Sequence, residues 1–151
     1  MRIAVVQTRP EFGDVPGNAA RAVSMLGTEQ ADLYVLPELA LSGYLFESKD
    51  EAVGMAQAPD DDVFEGFRSF ASSAGAAVVL GFAERAGESL YNSSLLLSPD
   101  GTQSVYRKVQ LFWGEKDIFE PGDRPPAVAE GVGARLGMMI CFDWIFPEIA
   151  R

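Results

Sequence analysis

Short apolar runs alternate with helical patterns along this chain, and this alternation restricts the folds available to it. Residues 3–7 form an apolar run that predicts a buried strand. Asn18 can cap a helix with an apolar face at helical spacing, and residues 32–36 form a second apolar run that Pro37 interrupts. A strand, a helix and a second strand in this order predict a βαβ unit.

Two further helical segments follow this unit. Ser48 begins a helical stretch that runs to Met55, and the acidic residues 60–62 precede another helix. Four apolar residues of that second helix recur at helical spacing and predict its buried stripe: Val63, Phe64, Phe67 and Phe70.

The middle of the chain predicts antiparallel strands. Residues 76–83 and 91–97 are apolar runs joined by a turn at 86–88. A second turn at 99–101 leads into a further strand at 103–107. We therefore predict a mixed α/β fold in which antiparallel strands extend the initial βαβ unit.

Composition and charge exclude several classes of protein. The chain has 151 residues, 48% hydrophobic and 23% charged, which fits one globular domain. Its net charge of -10 repels phosphate backbones and anionic lipids, which argues against nucleic acid and membranes as partners. The first apolar run is too short for a signal peptide, and no apolar stretch is long enough to span a bilayer. We therefore expect a cytoplasmic protein.

Cys141 is the only cysteine of the chain, and the chain contains no histidine. It follows the apolar run 136–140, where a strand is predicted to turn into a helix, so its side chain is expected at the carboxyl end of a sheet. A structural role as a small buried hydrophobe and a reactive role are both open at this point. Without histidine, thiol chemistry needs a carboxylate or a lysine as its partner.

Three charged residues are candidate partners of this thiol. Glu38 follows the second predicted strand, Lys108 follows the strand at 103–107, and Glu115 lies in the loop beyond Lys108. Each of them alone fits an ordinary solvated loop residue. As a set they supply what a thiol needs, because a carboxylate can accept its proton and an ammonium can stabilise a thiolate or an oxyanion.

Three blocks of the sequence resemble the signature blocks of the carbon-nitrogen hydrolase, or nitrilase, superfamily. They are Leu-Pro-Glu-Leu at Glu38, Tyr-Arg-Lys-Val-Gln-Leu-Phe at Lys108, and Gly-Met-Met-Ile-Cys-Phe-Asp-Trp-Ile-Phe-Pro-Glu at Cys141. Supporting segments extend the likeness over essentially the whole chain: Gln7, 42–44, 91–93 and 119–122. Segments 44–47 and 141–144 together are most similar to the thermoactive nitrilase-like proteins of archaea and their bacterial relatives.

This resemblance implies an αββα sandwich with a Glu-Lys-Cys triad at the sheet ends, and neither a metal nor an organic cofactor. By this likeness Cys141 is the nucleophile, Glu38 the general base and Lys108 the group that stabilises the tetrahedral intermediate. The backbone N–H of Phe142 completes the oxyanion hole, and Glu115 positions the lysine or the substrate. The implied substrate is a small amide or nitrile that is hydrolysed through a thioester, and the implied full-length form is a homodimer or higher homo-oligomer.

The sequence departs from the family pattern in two places. Gln110 stands where family members often carry a histidine, and because this position is outside the triad we interpret the change as neutral. Family members continue well beyond the cysteine helix, whereas this chain stops at Arg151. We therefore expect residues 1–151 to form a single carbon-nitrogen hydrolase domain that lacks its C-terminal part.

Two other functions stay open on the sequence alone. The first is a catalytically incompetent nitrilase-like half that acts as an interaction or structural domain, because triad residues by themselves do not make a closed pocket. The second is a redox-sensing thiol, which the lack of a second, resolving cysteine argues against.

Tyr44, Trp113 and Trp144 are candidate pocket aromatics, with core or interface roles as the alternative. Amide, nitrile and carbamoyl substrates are not distinguished.

Overall fold

A five-stranded mixed sheet organises the fold. The structure is a computed structural model that describes residues 1–124 and 128–151. The strands lie side by side in chain order: β1 Ile3–Val5, β2 Leu33–Val35, β3 Ala77–Ala86, β4 Ser89–Leu97 and β5 Gln103–Arg107. β1, β2 and β3 are parallel, and β3, β4 and β5 are antiparallel. The predicted mixed sheet is therefore confirmed, with its two hairpin turns at the predicted positions.

In the described residues, four α-helices accompany the sheet: α1 Val15–Met25, α2 Lys49–Gly54, α3 Glu65–Ala74 and α4 Pro147–Ala150. α2 begins as predicted, because the Ser48 side chain accepts a hydrogen bond of 3.2 Å from the backbone N–H of Glu51. α3 follows a short 3-10 helix at Asp62–Phe64. The helical segments therefore agree with the sequence analysis, with one exception in α1.

The predicted cap of α1 at Asn18 is wrong. The helix begins earlier, because Asp14 accepts a hydrogen bond of 3.1 Å from the Gly17 N–H and so fills the capping position. Asn18 lies within the first turn and is buried. Its side-chain amide donates to the backbone oxygens of Glu11 and Leu41, both at 2.7 Å, and so joins this helix to the loop after β2.

α1 and α3 cover one face of the sheet. The predicted stripe of α3 meets this face, with Phe64 and Phe67 fully buried and Val63 and Phe70 partly buried. The ring of Phe64 packs edge-on against that of Phe82 in β3, with centroids 5.1 Å apart. Burial of each such ring is worth roughly 1.5–3 kcal/mol, so this layer fixes the sheet against the helices.

The opposite face of the sheet is covered by the segment that leads to Cys141. A separate two-stranded sheet, β6 Val128–Gly131 and β7 Ala134–Gly137, precedes this segment. Met138 and Ile140 then pack in one cluster with Leu96 of β4 and Tyr106 of β5. The prediction of a strand over 136–140 is thus wrong in extent, because β7 ends at Gly137 and residues 138–140 are fixed by side-chain burial.

Gly81 in β3 lets the segment that follows β2 pass close to the β3 backbone. A Cβ atom at this position would lie 2.5 Å from the Cα of Glu38 and 2.7 Å from the carbonyl oxygen of Pro37. The Gly81 N–H donates to that same Pro37 oxygen, and its carbonyl accepts from the Ala40 N–H. The absence of a side chain at Gly81 therefore sets where the Glu38 carboxylate emerges from the sheet.

Candidate active site

Three of the sequence-predicted residues meet in one buried ionic cluster. The Nζ of Lys108 lies 2.7 Å from Oε1 of Glu38 and 2.9 and 2.8 Å from the two carboxylate oxygens of Glu115. The Lys108 side chain is 1% exposed, that of Glu38 10% and that of Glu115 18%. The cluster contains two carboxylates and one ammonium, and so carries one net negative charge.

Asn92 completes this cluster, although the sequence analysis gave it no role. Its Nδ2 donates to Oε1 of Glu38 at 2.7 Å and to Oε1 of Glu115 at 3.0 Å, and so bridges the two carboxylates. Its backbone oxygen accepts from the N–H of Lys108, which extends the β4–β5 pairing up to the site. Asn92 is fully buried, so its amide is a fixed part of the cluster. Its position in the family-like segment 91–93 was the available signal.

Tyr44 binds the second oxygen of Glu38. Its hydroxyl donates to Oε2, whereas Oε1 accepts from Lys108 and Asn92. Burial and the hydrogen bond to Glu38 raise the pKa of Tyr44 well above its ordinary value, so the phenol keeps its proton. The predicted pocket residue is therefore a direct partner of the carboxylate.

The cluster shifts the pKa values of its own members. Burial raises the pKa of Glu38, but hydrogen bonds from Lys108 and Tyr44 outweigh it and hold that pKa below its ordinary value. Burial likewise lowers the pKa of Lys108, and hydrogen bonds to Glu115 and Glu38 more than offset it, so the net shift is upward. Glu38 is therefore a carboxylate and Lys108 an ammonium at neutral pH.

Cys141 opens a 3-10 helix, Cys141–Ile145, at the edge of this cluster. Its backbone has a φ of 43°, in the left-handed region that a residue with a side chain seldom adopts. The residue is exposed, yet partial burial of the thiol and the negative charge of Glu38 raise its pKa, against the opposite effect of Lys108. The thiol therefore rests in its protonated form.

Asp143 fixes the turn that carries Cys141, and the sequence analysis did not single it out. It is completely buried, and its Oδ2 accepts from the N–H of Ile140 at 3.0 Å and from the Tyr106 hydroxyl at 2.8 Å. Its Oδ1 accepts from the N–H of Gln110 at 2.8 Å. One carboxylate thus joins the cysteine turn to the segment that carries Lys108. An acidic residue in the first turn of a predicted helix was the signal for this role.

Phe142 lies in the first turn of the same 3-10 helix. Backbone N–H groups at this position have no acceptor within the helix, which leaves the Phe142 N–H available to a ligand or solvent. The Phe142 ring packs between Phe112 and Phe146, with centroid distances of 5.0 and 5.4 Å. This packing holds the backbone next to Cys141 in place.

A cavity of about 500 Å³ joins the ionic cluster to the thiol. Glu38, Lys108, Glu115 and Cys141 line it, as does Tyr44. The rest of its lining is apolar apart from one glycine: Leu39, Leu45, Phe46, Phe112, Trp113, Gly114, Ile118 and Phe119.

The structure separates the two tryptophans that the sequence proposed for the pocket. Trp113 lines the cavity, whereas Trp144 is 71% exposed and is not part of its lining. The pocket role predicted for Trp144 is therefore corrected. Trp144 belongs to the 3-10 helix of Cys141, and that short helix directs it outward.

Residues 1–124 and 128–151 contain neither a metal-binding group of side chains nor a membrane-spanning helix. Within these ranges no group of three or more His, Cys, Asp or Glu side chains is placed to hold a metal ion. None of the helices in the same ranges is long and apolar enough to cross a membrane.

The family model for carbon-nitrogen hydrolases matches residues 2–151. This chain belongs to the carbon-nitrogen hydrolase family. The membership expected from the three sequence blocks is thus confirmed, and so is the fold class.

Relatives of this chain include proteins named as a nitrilase and as an amidase. It is 38% identical over its whole length to a nitrilase of Pyrococcus abyssi and 35% identical to an (R)-stereoselective amidase of Pseudomonas sp.. It covers 59% and 55% of those two proteins. A crystal structure of a CN-hydrolase superfamily protein from Xanthomonas campestris, which has an arsenic adduct in its active site, superposes with a TM-score of 0.84 at 29% identity. This superposition covers the whole of the present chain and 57% of the Xanthomonas campestris protein. The chain therefore spans between half and three-fifths of the length of these relatives.

Proposed function

We propose that this chain carries the catalytic centre of a hydrolase that cleaves the non-peptide carbon-nitrogen bond of a small amide or nitrile through a thioester on Cys141. One observation carries the proposal. The only thiol of the chain opens onto the same cavity as a buried Glu-Lys-Glu cluster. Such a cluster supplies a base and a cation without histidine.

In the first step Glu38 acts as general base. The cluster already has one net negative charge, so a resting thiolate beside it would add a second. The raised pKa of Cys141 and the lowered pKa of Glu38 support a thiol and a carboxylate at rest. The proton therefore moves from Sγ to Glu38 as the sulfur attacks the carbonyl carbon, so that charge passes to the substrate oxygen.

Lys108 and the Phe142 N–H stabilise that oxygen. The Lys108 ammonium contacts three carboxylate oxygens, two of which belong to Glu115. A single N–H can be shared between the two Glu115 oxygens, which leaves one N–H for the developing oxyanion. Glu115 and Asn92 hold the ammonium in position, so little reorganisation accompanies the reaction.

The intermediate then collapses with Glu38 as general acid. The proton that Glu38 took from the thiol goes to the departing nitrogen. Ammonia or an amine is released, and a thioester remains on Cys141. Glu38, again a carboxylate, takes a proton from water as the water attacks the thioester. As the sulfur leaves, Glu38 returns this proton to it, so the products are a carboxylic acid and the free thiol. For an amide the net reaction consumes one water. A nitrile first adds the thiol to form a thioimidate on Cys141, and a water then adds to that thioimidate to give the tetrahedral intermediate that loses ammonia. Hydrolysis of a nitrile therefore consumes two waters.

We also propose that residues 1–151 belong to a single carbon-nitrogen hydrolase domain of a cytoplasmic protein that assembles as a homodimer or higher homo-oligomer. An exposed free cysteine supports a reducing compartment. The edge strand β1 leaves Ile3 and Val5 exposed, which supports association at this edge of the sheet.

The mechanism is tested by replacing Cys141 with alanine and with serine. Both variants should keep their far-UV circular dichroism and release no ammonia from a panel of small amides and nitriles. Trp144→Ala, which alters an exposed residue on the same 3-10 helix, serves as the matched control and should keep wild-type turnover. Full activity of Cys141→Ala would rule out the thioester. A folded wild-type chain without turnover would instead support the structural-domain alternative.

A further inference from the structure

The cavity combines one ionic cluster with an apolar wall. Hydrogen bonds join Glu38, Lys108 and Glu115 in that cluster, and the wall is made of aromatic and aliphatic side chains such as Phe46, Phe112 and Trp113. Outside the cluster, a group attached to the carbon that reacts with Cys141 therefore has mainly apolar side chains to contact. The cavity volume of about 500 Å³ exceeds what formamide or acetamide would fill, so the cavity accommodates an acyl group the size of an aromatic ring.

Aromatic packing holds this wall in place. The Phe46 ring packs between Phe12 and Phe119, with centroid distances of 5.8 and 5.7 Å. The Phe112 ring packs on Phe142, next to the thiol, at 5.0 Å. The Phe46 ring, which has a neighbour on both sides, and the Phe112 ring, which has one, therefore present preformed apolar surface that a bound acyl group does not have to order.

The charges of the cavity disfavour an anionic substrate. Lys108 is the only cation that lines the described part of the cavity, and it is already bound to Glu38 and Glu115. A substrate carboxylate would find no free cation among these residues and would face one net negative charge. Its desolvation in this apolar space would stay uncompensated.

We propose that this site selects amides that carry no negative charge and whose acyl group is apolar and about the size of an aromatic ring. The inference rests on the proposed function for the reaction itself. The selection comes from the wall, with Trp113 as a specificity-determining residue at the open side, where it is 84% exposed.

Alkylation of Cys141 tests the selection without requiring turnover. Because the chain has a single cysteine, the rate of its mass increase reports one site. Iodoacetamide, N-benzyl iodoacetamide, iodoacetate and (2-bromoethyl)trimethylammonium are compared, and each rate is divided by that of N-acetylcysteine with the same reagent. We expect the benzyl reagent to exceed iodoacetamide by about tenfold, because its ring buries apolar surface. Iodoacetate should fall below iodoacetamide by about tenfold or more, because of the negative charge near the thiol.

A pair of tryptophan variants tests which residue causes the preference for the benzyl reagent. Trp113→Ala should lose most of the benzyl preference, measured as the ratio of the benzyl rate to the iodoacetamide rate, because the apolar wall loses its indole ring. Trp144→Ala removes the same side chain outside the cavity and should keep the preference.

Equal corrected rates for all four reagents in the folded wild-type chain would overturn the proposal, as would fastest reaction with the anionic or cationic reagent. An unchanged benzyl preference in Trp113→Ala would overturn the role of that residue. Selective alkylation in a chain that hydrolyses no amide would contradict the proposed function and leave the apolar selectivity standing, so the two failures are distinguishable.

Discussion

Replacing Lys108 with methionine removes the one cation that lies between two carboxylates. The lysine side chain is 1% exposed, so methionine fits the space and keeps its apolar contacts. Glu38 and Glu115 then face each other with Asn92 as the main shared donor. The structure therefore predicts a large loss of stability as well as a loss of activity.

The size of this loss follows from burial. Removing one partner of a buried ion pair costs about 3–5 kcal/mol, because the other charge stays desolvated and unpaired. Both carboxylates here are less than one-fifth exposed, so solvent screens little of this cost. We expect the free energy of unfolding of Lys108→Met at pH 7 to fall by about 3–5 kcal/mol. The value of kcat should fall by about 10²-fold or more, because the oxyanion loses its cation.

The loss of unfolding free energy in Lys108→Met should depend on pH. In the wild type the pKa of Glu38 is lowered, so its contribution to stability is present above its ordinary value of 4.5 and is lost as pH falls. In the variant the pKa of Glu38 should rise above that value, so the variant is relatively more stable at low pH and weakens as pH increases. The difference between the two proteins is therefore largest near neutrality, and it shrinks as pH falls through the raised pKa of Glu38 in the variant and then through its lowered pKa in the wild type.

Urea unfolding followed by far-UV circular dichroism at pH 7 and pH 4 measures both effects. Lys116→Met is the matched control, because Lys116 is an exposed lysine next to Glu115 in the 3-10 helix Trp113–Asp117, and it should leave stability unchanged within about 0.5 kcal/mol. Adding Glu115→Gln to Lys108→Met should restore part of the loss. A loss below about 1 kcal/mol at pH 7, or the same loss at both pH values, would refute the electrostatic reasoning.

Two further predictions concern Glu38. Tyr44→Phe removes a donor that lowers the pKa of Glu38, so the acid limb of the pH profile of kcat/KM should move to higher pH; an unmoved limb would contradict this role. Gly81→Ala should destabilise the fold by about 1–3 kcal/mol and lower turnover, because its Cβ would displace the backbone at Glu38. Gly137→Ala has open space around its Cβ and should be nearly neutral in the same unfolding assay, so equal effects of the two alanines would argue against the clash.

The sequence determined much of the fold because most of its signals are local. Alternating apolar runs and turn residues gave the strands of the antiparallel half, and the helix cap at Ser48 is formed as predicted. The cap of α1 was misplaced because Asp14 and Asn18 are both residues that favour that position. Which of the two residues caps the helix depends on distant partners, because the Asn18 side-chain amide donates to the backbone oxygen of Leu41.

The sequence by itself also identified the charged residues that meet in the cavity, because they lie in blocks typical of one family. Only the tertiary structure revealed that Asn92 bridges the two carboxylates and that Asp143 joins the cysteine turn to the lysine segment. Only the structure, too, separated Trp113, which lines the cavity, from Trp144, which does not. The reason is physical: residue type and spacing encode local conformation, whereas the contacts of a side chain depend on how distant segments pack around it.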